Sequence, residues 1–116
     1  MGQKKVLNTS DYFQYQRDLK SAKTTISSIA NRAENFKIGK TGMSIENRFG
    51  EPDYNGVYDE ICSVYSSEDP DFVSRMEADL IEEFKNNKKC DNIRTTDQDD
   101  MADSEEYSVY VVWNNE

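Results

Sequence analysis

Three groups with the chemistry to handle a phosphate are spaced along this chain of 116 residues. Lys40 lies in Gly39-Lys40-Thr41, at the end of the short stretch Phe36-Lys37-Ile38. Arg48 follows about two helical turns later. Glu77 comes much later, inside Arg75-Met76-Glu77-Ala78-Asp79-Leu80-Ile81, at the edge of an otherwise amphipathic pattern. An ammonium and a guanidinium can grip phosphate oxygens, and a carboxylate can hold the hard cation that polarises them. These groups act together only if the fold brings them into one pocket.

Composition limits the alternatives. The chain has no His, which excludes His-based zinc sites and Ser-His or Cys-His catalysis. Cys62 and Cys90 do not make a disulfide framework and are expected to be reduced, in a cytoplasmic setting. No apolar run reaches the roughly 20 residues that span a bilayer, and residues 1–8 lack the apolar stretch of a signal peptide. A net charge of −9 argues against a simple nucleic-acid binder. That charge is uneven. Residues 1–48 carry nine Lys and Arg against four Asp and Glu, whereas residues 49–116 carry five against nineteen. Lys40 and Arg48 fall in the basic part.

The elements that must position these groups follow from periodicity. Tyr12, Tyr15, Leu19, Ala22, Ile26, Ile29 and Ala30 recur in steps of three and four, which predicts a helix over about 10–33 with Ser10 as N-cap. Thr24 to Ile29 has weak helix propensity and is compatible with a strand. Residues 35–40 read as a strand with Phe36 and Ile38 on one face and Lys37 on the other. Ser44 caps a short helix, 45–49, which Gly50 and Pro52 stop. A strand is predicted within 57–66. Asp69-Pro70 starts a helix that runs to about 86, with Phe72, Val73, Met76, Leu80, Ile81 and Phe84 facing the core. Residues 91–106 are polar and acidic, holding Asp97, Asp99, Asp100, Asp103, Glu105 and Glu106, and read as a solvated loop. The chain then ends on a strand, 107–113. The expectation is one α+β domain over 1–116, with a small three-stranded antiparallel or mixed sheet flanked by helices.

A Walker A loop needs an upstream glycine that this stretch lacks, and no long helix starts at Thr41. The sequence Lys37–Thr41, followed by Arg48, a strand, Glu77 on the next long helix and then Asn92, instead resembles the GIY-YIG nuclease superfamily over residues 36–92. The resemblance implies a GIY-YIG-like fold and metal-dependent cleavage of phosphodiesters. It implies that Glu77 is the single ligand of Mg²⁺ or Mn²⁺, that Arg48 steadies charge on the scissile phosphate, and that Lys40 supports it. Two departures stand out. The tyrosine of the second hallmark strand is replaced by Lys37, and the first hallmark strand, with its tyrosine, is missing upstream of residue 36. Ser108-Val109-Tyr110-Val111-Val112-Trp113-Asn114 resembles that missing strand, so a circular permutation would return a tyrosine, Tyr110, to the site.

Each residue also has a plain structural role open to it: Glu77 as a solvated helix residue, Arg48 as a helix-end cation, Tyr110 as sheet packing. Three functions therefore stand side by side. One is a nuclease using Arg48, Glu77, Tyr110 and Lys40. Another is an inactive relative that binds nucleic acid, DNA in preference to RNA, or a protein. The last is an acidic interaction or inhibitor protein with a basic protein partner. None of the three involves a membrane.

Overall fold

A computed structural model describes residues 8–92, 101 and 103–116. Asp97, Asp99 and Asp100 of the expected acidic loop lie outside the described residues.

The first helix, α1, spans Thr9–Arg32 and buries the stripe Tyr15, Leu19, Ala22, Ile26 and Ala30. Its N-cap is Asn8 rather than Ser10: the Asn8 side chain accepts from the Asp11 amide at 2.8 Å, two residues before the expected start. Thr24 and Thr25 do not leave the helix. Their hydroxyls donate to the Lys20 and Ser21 carbonyls at 3.0 and 3.1 Å, and fully buried Ile26 anchors the turn, so packing overrides weak propensity. Ala33 is fully buried and extended, and the chain passes without a loop into β1, Ala33–Thr41.

Ser44 caps α2, Ile45–Phe49, by accepting from the Asn47 amide at 3.2 Å. The second strand, β2, is Glu60–Ser67. Asp69 then caps α3, Pro70–Phe84, whose proline occupies the first turn where its missing N–H costs nothing. The last strand, β3, is Tyr107–Asn115.

The architecture is α+β. The sheet order is β1-β3-β2, and β3 pairs antiparallel with both neighbours, so the sheet is antiparallel throughout. Alternation then assigns each side chain to a face. On one face Phe36, Ile38, Val109 and Val111 meet α1 and the α3 residues Val73, Met76, Leu80 and Ile81. On the other, Tyr110 and Val112 pack with Tyr54, Ile45 and Phe49. Each such burial contributes about 1.5–3 kcal/mol before entropy is counted.

The outer edge of β1 is covered. Asn92 donates from Nδ2 to the Ile38 carbonyl and accepts the Ile38 amide at Oδ1, both at 2.9 Å. The Phe36 amide donates to the Lys89 carbonyl at 2.9 Å, and the Asp91 amide donates to the Phe36 carbonyl at 2.7 Å. An edge that would otherwise recruit another strand is thereby satisfied internally. No helix among the described residues is long and apolar enough to cross a membrane.

Candidate functional site

The register of β1 on β3 sets Gly39 directly opposite Tyr110. A Cβ at Gly39 would overlap the Tyr110 hydroxyl and ring carbons, so glycine is what lets the phenol lie flat across β1. Tyr110 is 1% exposed, and its hydroxyl is 2.7 Å from that of Tyr54, itself 2% exposed. The two rings meet edge to face, with centroids 5.8 Å apart.

Arg48 lies over this aromatic pair. Its Cζ is 4.1 Å from the Tyr54 centroid and 5.9 Å from that of Tyr110. The end of α2 delivers it there, and the turn after α2 supplies its counter-ions. Asp53 takes the guanidinium in a fork, Nη1 to Oδ1 at 2.9 Å and Nη2 to Oδ2 at 3.0 Å, and Glu51 accepts from Nη1 at 3.1 Å. The hydrogen bonds that the guanidinium donates to Asp53 raise the Arg48 pKa further above its ordinary value. In return they hold the Asp53 carboxyl below the usual carboxylate range, with Lys37 adding a smaller effect. The Lys37 ammonium stands 5.6 Å from the Tyr54 centroid, on the same sheet face.

No protein-family model, curated protein or solved structure matches this chain.

Of the residues singled out from sequence, Tyr110 and Arg48 do come together, across the strand pairing that a permuted order requires. Lys40 and Glu77 also come together, but elsewhere. Lys40 neighbours Gly39 on β1 and so projects to the opposite face, under α3. There its Nζ donates to the Ser74 hydroxyl at 3.2 Å and stands 3.8 Å from Glu77 Oε1. The four residues thus form two pairs on opposite faces of the sheet, one built on Tyr110 of β3 and the other on Lys40 of β1.

Glu77 is inside the core rather than at a helix edge. It is 1% exposed among Val73, Met76 and Leu80, and Lys40 compensates its charge. A divalent cation does not fit this carboxylate. The group has no open side for the waters that Mg²⁺ keeps, and an ammonium already occupies its neighbourhood. No group of three His, Cys, Asp or Glu suited to a metal occurs among the described residues.

Tyr110 is likewise constrained. Burial, followed by the neighbouring Tyr54 phenol, pushes its pKa well above the ordinary phenol value, against the smaller opposing pull of Arg48. The phenol stays protonated at neutral pH and shares a hydrogen bond with the Tyr54 hydroxyl.

Three contributors escaped the sequence reading: Tyr54, Asp53 and the placement of Lys37 beside them. Tyr54 and Asp53 sit in a loop where no periodicity marks a buried face. The spacing of Asp53 five residues after Arg48 was the available signal. A groove of about 480 Å³, reaching the Ser108 end of the sheet, is lined by Glu46, Glu105, Glu106 and the hydroxyls of Ser63, Ser66 and Ser108.

Proposed function

We propose that this chain is a GIY-YIG-like domain that binds nucleic-acid phosphates at Arg48 and does not cleave them through a metal at Glu77. The observation that carries the reading is the division of the four residues. A guanidinium is stacked on Tyr54 beside Tyr110 on one sheet face, whereas the carboxylate is buried against Lys40 on the other. A planar cation fixed on an aromatic shelf suits phosphate and stacked bases, because the fork donates two parallel hydrogen bonds and the ring orients it. A cleaving enzyme would also need a group to activate water and a cation to take up charge. The protonated, buried Tyr110 and the enclosed Glu77 supply neither.

Fluorescence anisotropy with labelled single- and double-stranded oligonucleotides, DNA and RNA, tests this at two salt concentrations. Expected is binding that weakens as salt rises, is lost in Arg48→Ala and persists in the folded fraction of Glu77→Gln, measured by circular dichroism in the same samples. Plasmid incubated with Mg²⁺ or Mn²⁺ should remain supercoiled. Metal-dependent nicking that Glu77→Gln abolishes would restore the nuclease reading. Failure to bind any oligonucleotide, with capture of a basic protein, would favour the acidic interaction protein.

A further inference from the structure

Arg48 is not presented empty, and what fills it has the geometry of a ligand. The Asp53 fork, at 2.9 and 3.0 Å, is the same planar bidentate arrangement that a guanidinium offers a phosphate. The two partners are held very differently. The Arg48 side chain is 17% exposed and fixed from beneath by Tyr54, whose hydroxyl is tied to Tyr110. The Asp53 side chain is 57% exposed and approaches from solvent. The cation is thus built into the fold, and the anion lies on a surface turn.

That turn can give up the contact without unfolding. Its backbone is closed by Tyr54 N–H to Glu51 C=O at 2.9 Å, Asn55 N–H to Glu51 C=O at 2.8 Å and Val57 N–H to Tyr54 C=O at 2.9 Å. None of these bonds uses the Asp53 side chain. A rotamer change at Asp53 would swing its carboxylate into water while Tyr54 stays buried. Gly56 completes the turn at φ +80, in open surroundings, a conformation that costs a glycine little. Lys37, from β1, supplies a second cation on the same side.

We propose that Arg48 and Lys37 form an oxyanion site for a phosphodiester, that Asp53 is its internal occupant, and that the incoming phosphate displaces the Asp53 carboxylate. This rests on the reading of Arg48 as a phosphate contact. The exchange leaves the charge around Arg48 unchanged, since one monoanion replaces another while Glu51 keeps its bond to Nη1, and the released carboxylate is hydrated. The occupant lowers affinity for stray anions, because a ligand binds only the fraction of molecules in which the fork is open.

Dimethyl phosphate, a monoanion without bases or sugar, is the probe. It is titrated into the full chain and into Asp53→Asn, with the Arg48 Nε–H resonance followed by NMR. If Asp53 closes the fork in nine molecules of ten, Asp53→Asn should bind about tenfold more tightly. Adding Lys37→Gln to that variant should weaken binding again. In the unmodified chain the probe should move the Asp53 carboxyl carbon resonance towards that of a free aspartate, a readout that does not depend on a variant folding. Equal affinities for the two proteins, or an Asp53 resonance that stays fixed at saturation, would overturn the displacement. Acetate binding more tightly than dimethyl phosphate would overturn the phosphodiester assignment. A tenfold gain for dimethyl phosphate with no oligonucleotide binding would uphold the gated site while sinking the nucleic-acid function. Oligonucleotide affinity identical in both proteins would do the reverse.

Discussion

Lys40→Met tests the division of the site most directly. The substitution keeps most of the apolar stem of the lysine and removes its charge together with the hydrogen bond to Ser74, leaving Glu77, 1% exposed, without the ammonium 3.8 Å away. Breaking a buried pair in this way costs about 3–5 kcal/mol, most of it from stranding the remaining charge. A domain of this size has about 5–15 kcal/mol of stability in total, so the variant should approach the edge of folding. Lys40→Met/Glu77→Leu removes both charges together and should recover most of the loss, since an apolar pair of similar volume is often neutral or better. Urea unfolding at pH 7, followed by far-UV circular dichroism, gives the three free energies and their coupling. A single-variant cost under about 1 kcal/mol would mean that Glu77 is hydrated or engaged elsewhere and the pair is not a buried one. A double variant as unstable as the single one would refute the argument as well.

Gly39→Ala should cost about 1–3 kcal/mol, because its Cβ must displace the Tyr110 ring, and the loss should be accompanied by a changed near-UV tyrosine signal. Asn92→Ala removes both of its hydrogen bonds to Ile38 and should cost about 1–3 kcal/mol, with the β1 amides exchanging faster by hydrogen-exchange NMR. Burial chiefly raises the phenol pKa values of Tyr15, Tyr58 and Tyr110 in the fold. Their contribution is complete below the ordinary phenol value of about 10 and declines as the pH rises above it, since the unfolded chain ionises first. Chemical denaturation across pH 8–12 should show that decline, and Tyr110→Phe should make it shallower.

Much of the fold was legible because local chemistry and tertiary packing agreed. Ser44 and Asp69 cap the helices the sequence assigned to them, and the 3-4 spacing from Tyr12 to Ala30 marks the buried stripe of α1 except at its start, where Tyr12 is exposed. The α+β class and a three-stranded sheet, antiparallel or mixed, followed from element order and short connections, and the pairing of β3 with both neighbours makes it antiparallel. Ser10 was misread because Asn8, two residues earlier, caps equally well and periodicity cannot choose between them. The candidate site was legible only by halves. The pairing of Tyr110 with the Gly39 strand was anticipated only through the GIY-YIG resemblance, which expects a tyrosine strand beside β1. The division between Lys40 and Arg48 was not. It depends on which face of β1 each side chain takes and on where α3 packs. Nothing in the Met76-Glu77-Ala78 spacing distinguishes a carboxylate beside the core from one within it. Asp53 and Tyr54 were invisible for a related reason, since a loop residue acquires burial only from what folds over it.

The strand that holds the sheet together is the last element in chain order. β1 and β2 share no hydrogen bonds, and each is joined to the sheet only through β3, more than sixty residues after Thr41. A ribosome makes the other five described elements before either ladder can close. Until that moment both flanking strands carry unpaired amides beside large apolar side chains. Such long-range closure is slow, and it makes the half-finished polypeptide dependent on whatever shields it from its neighbours.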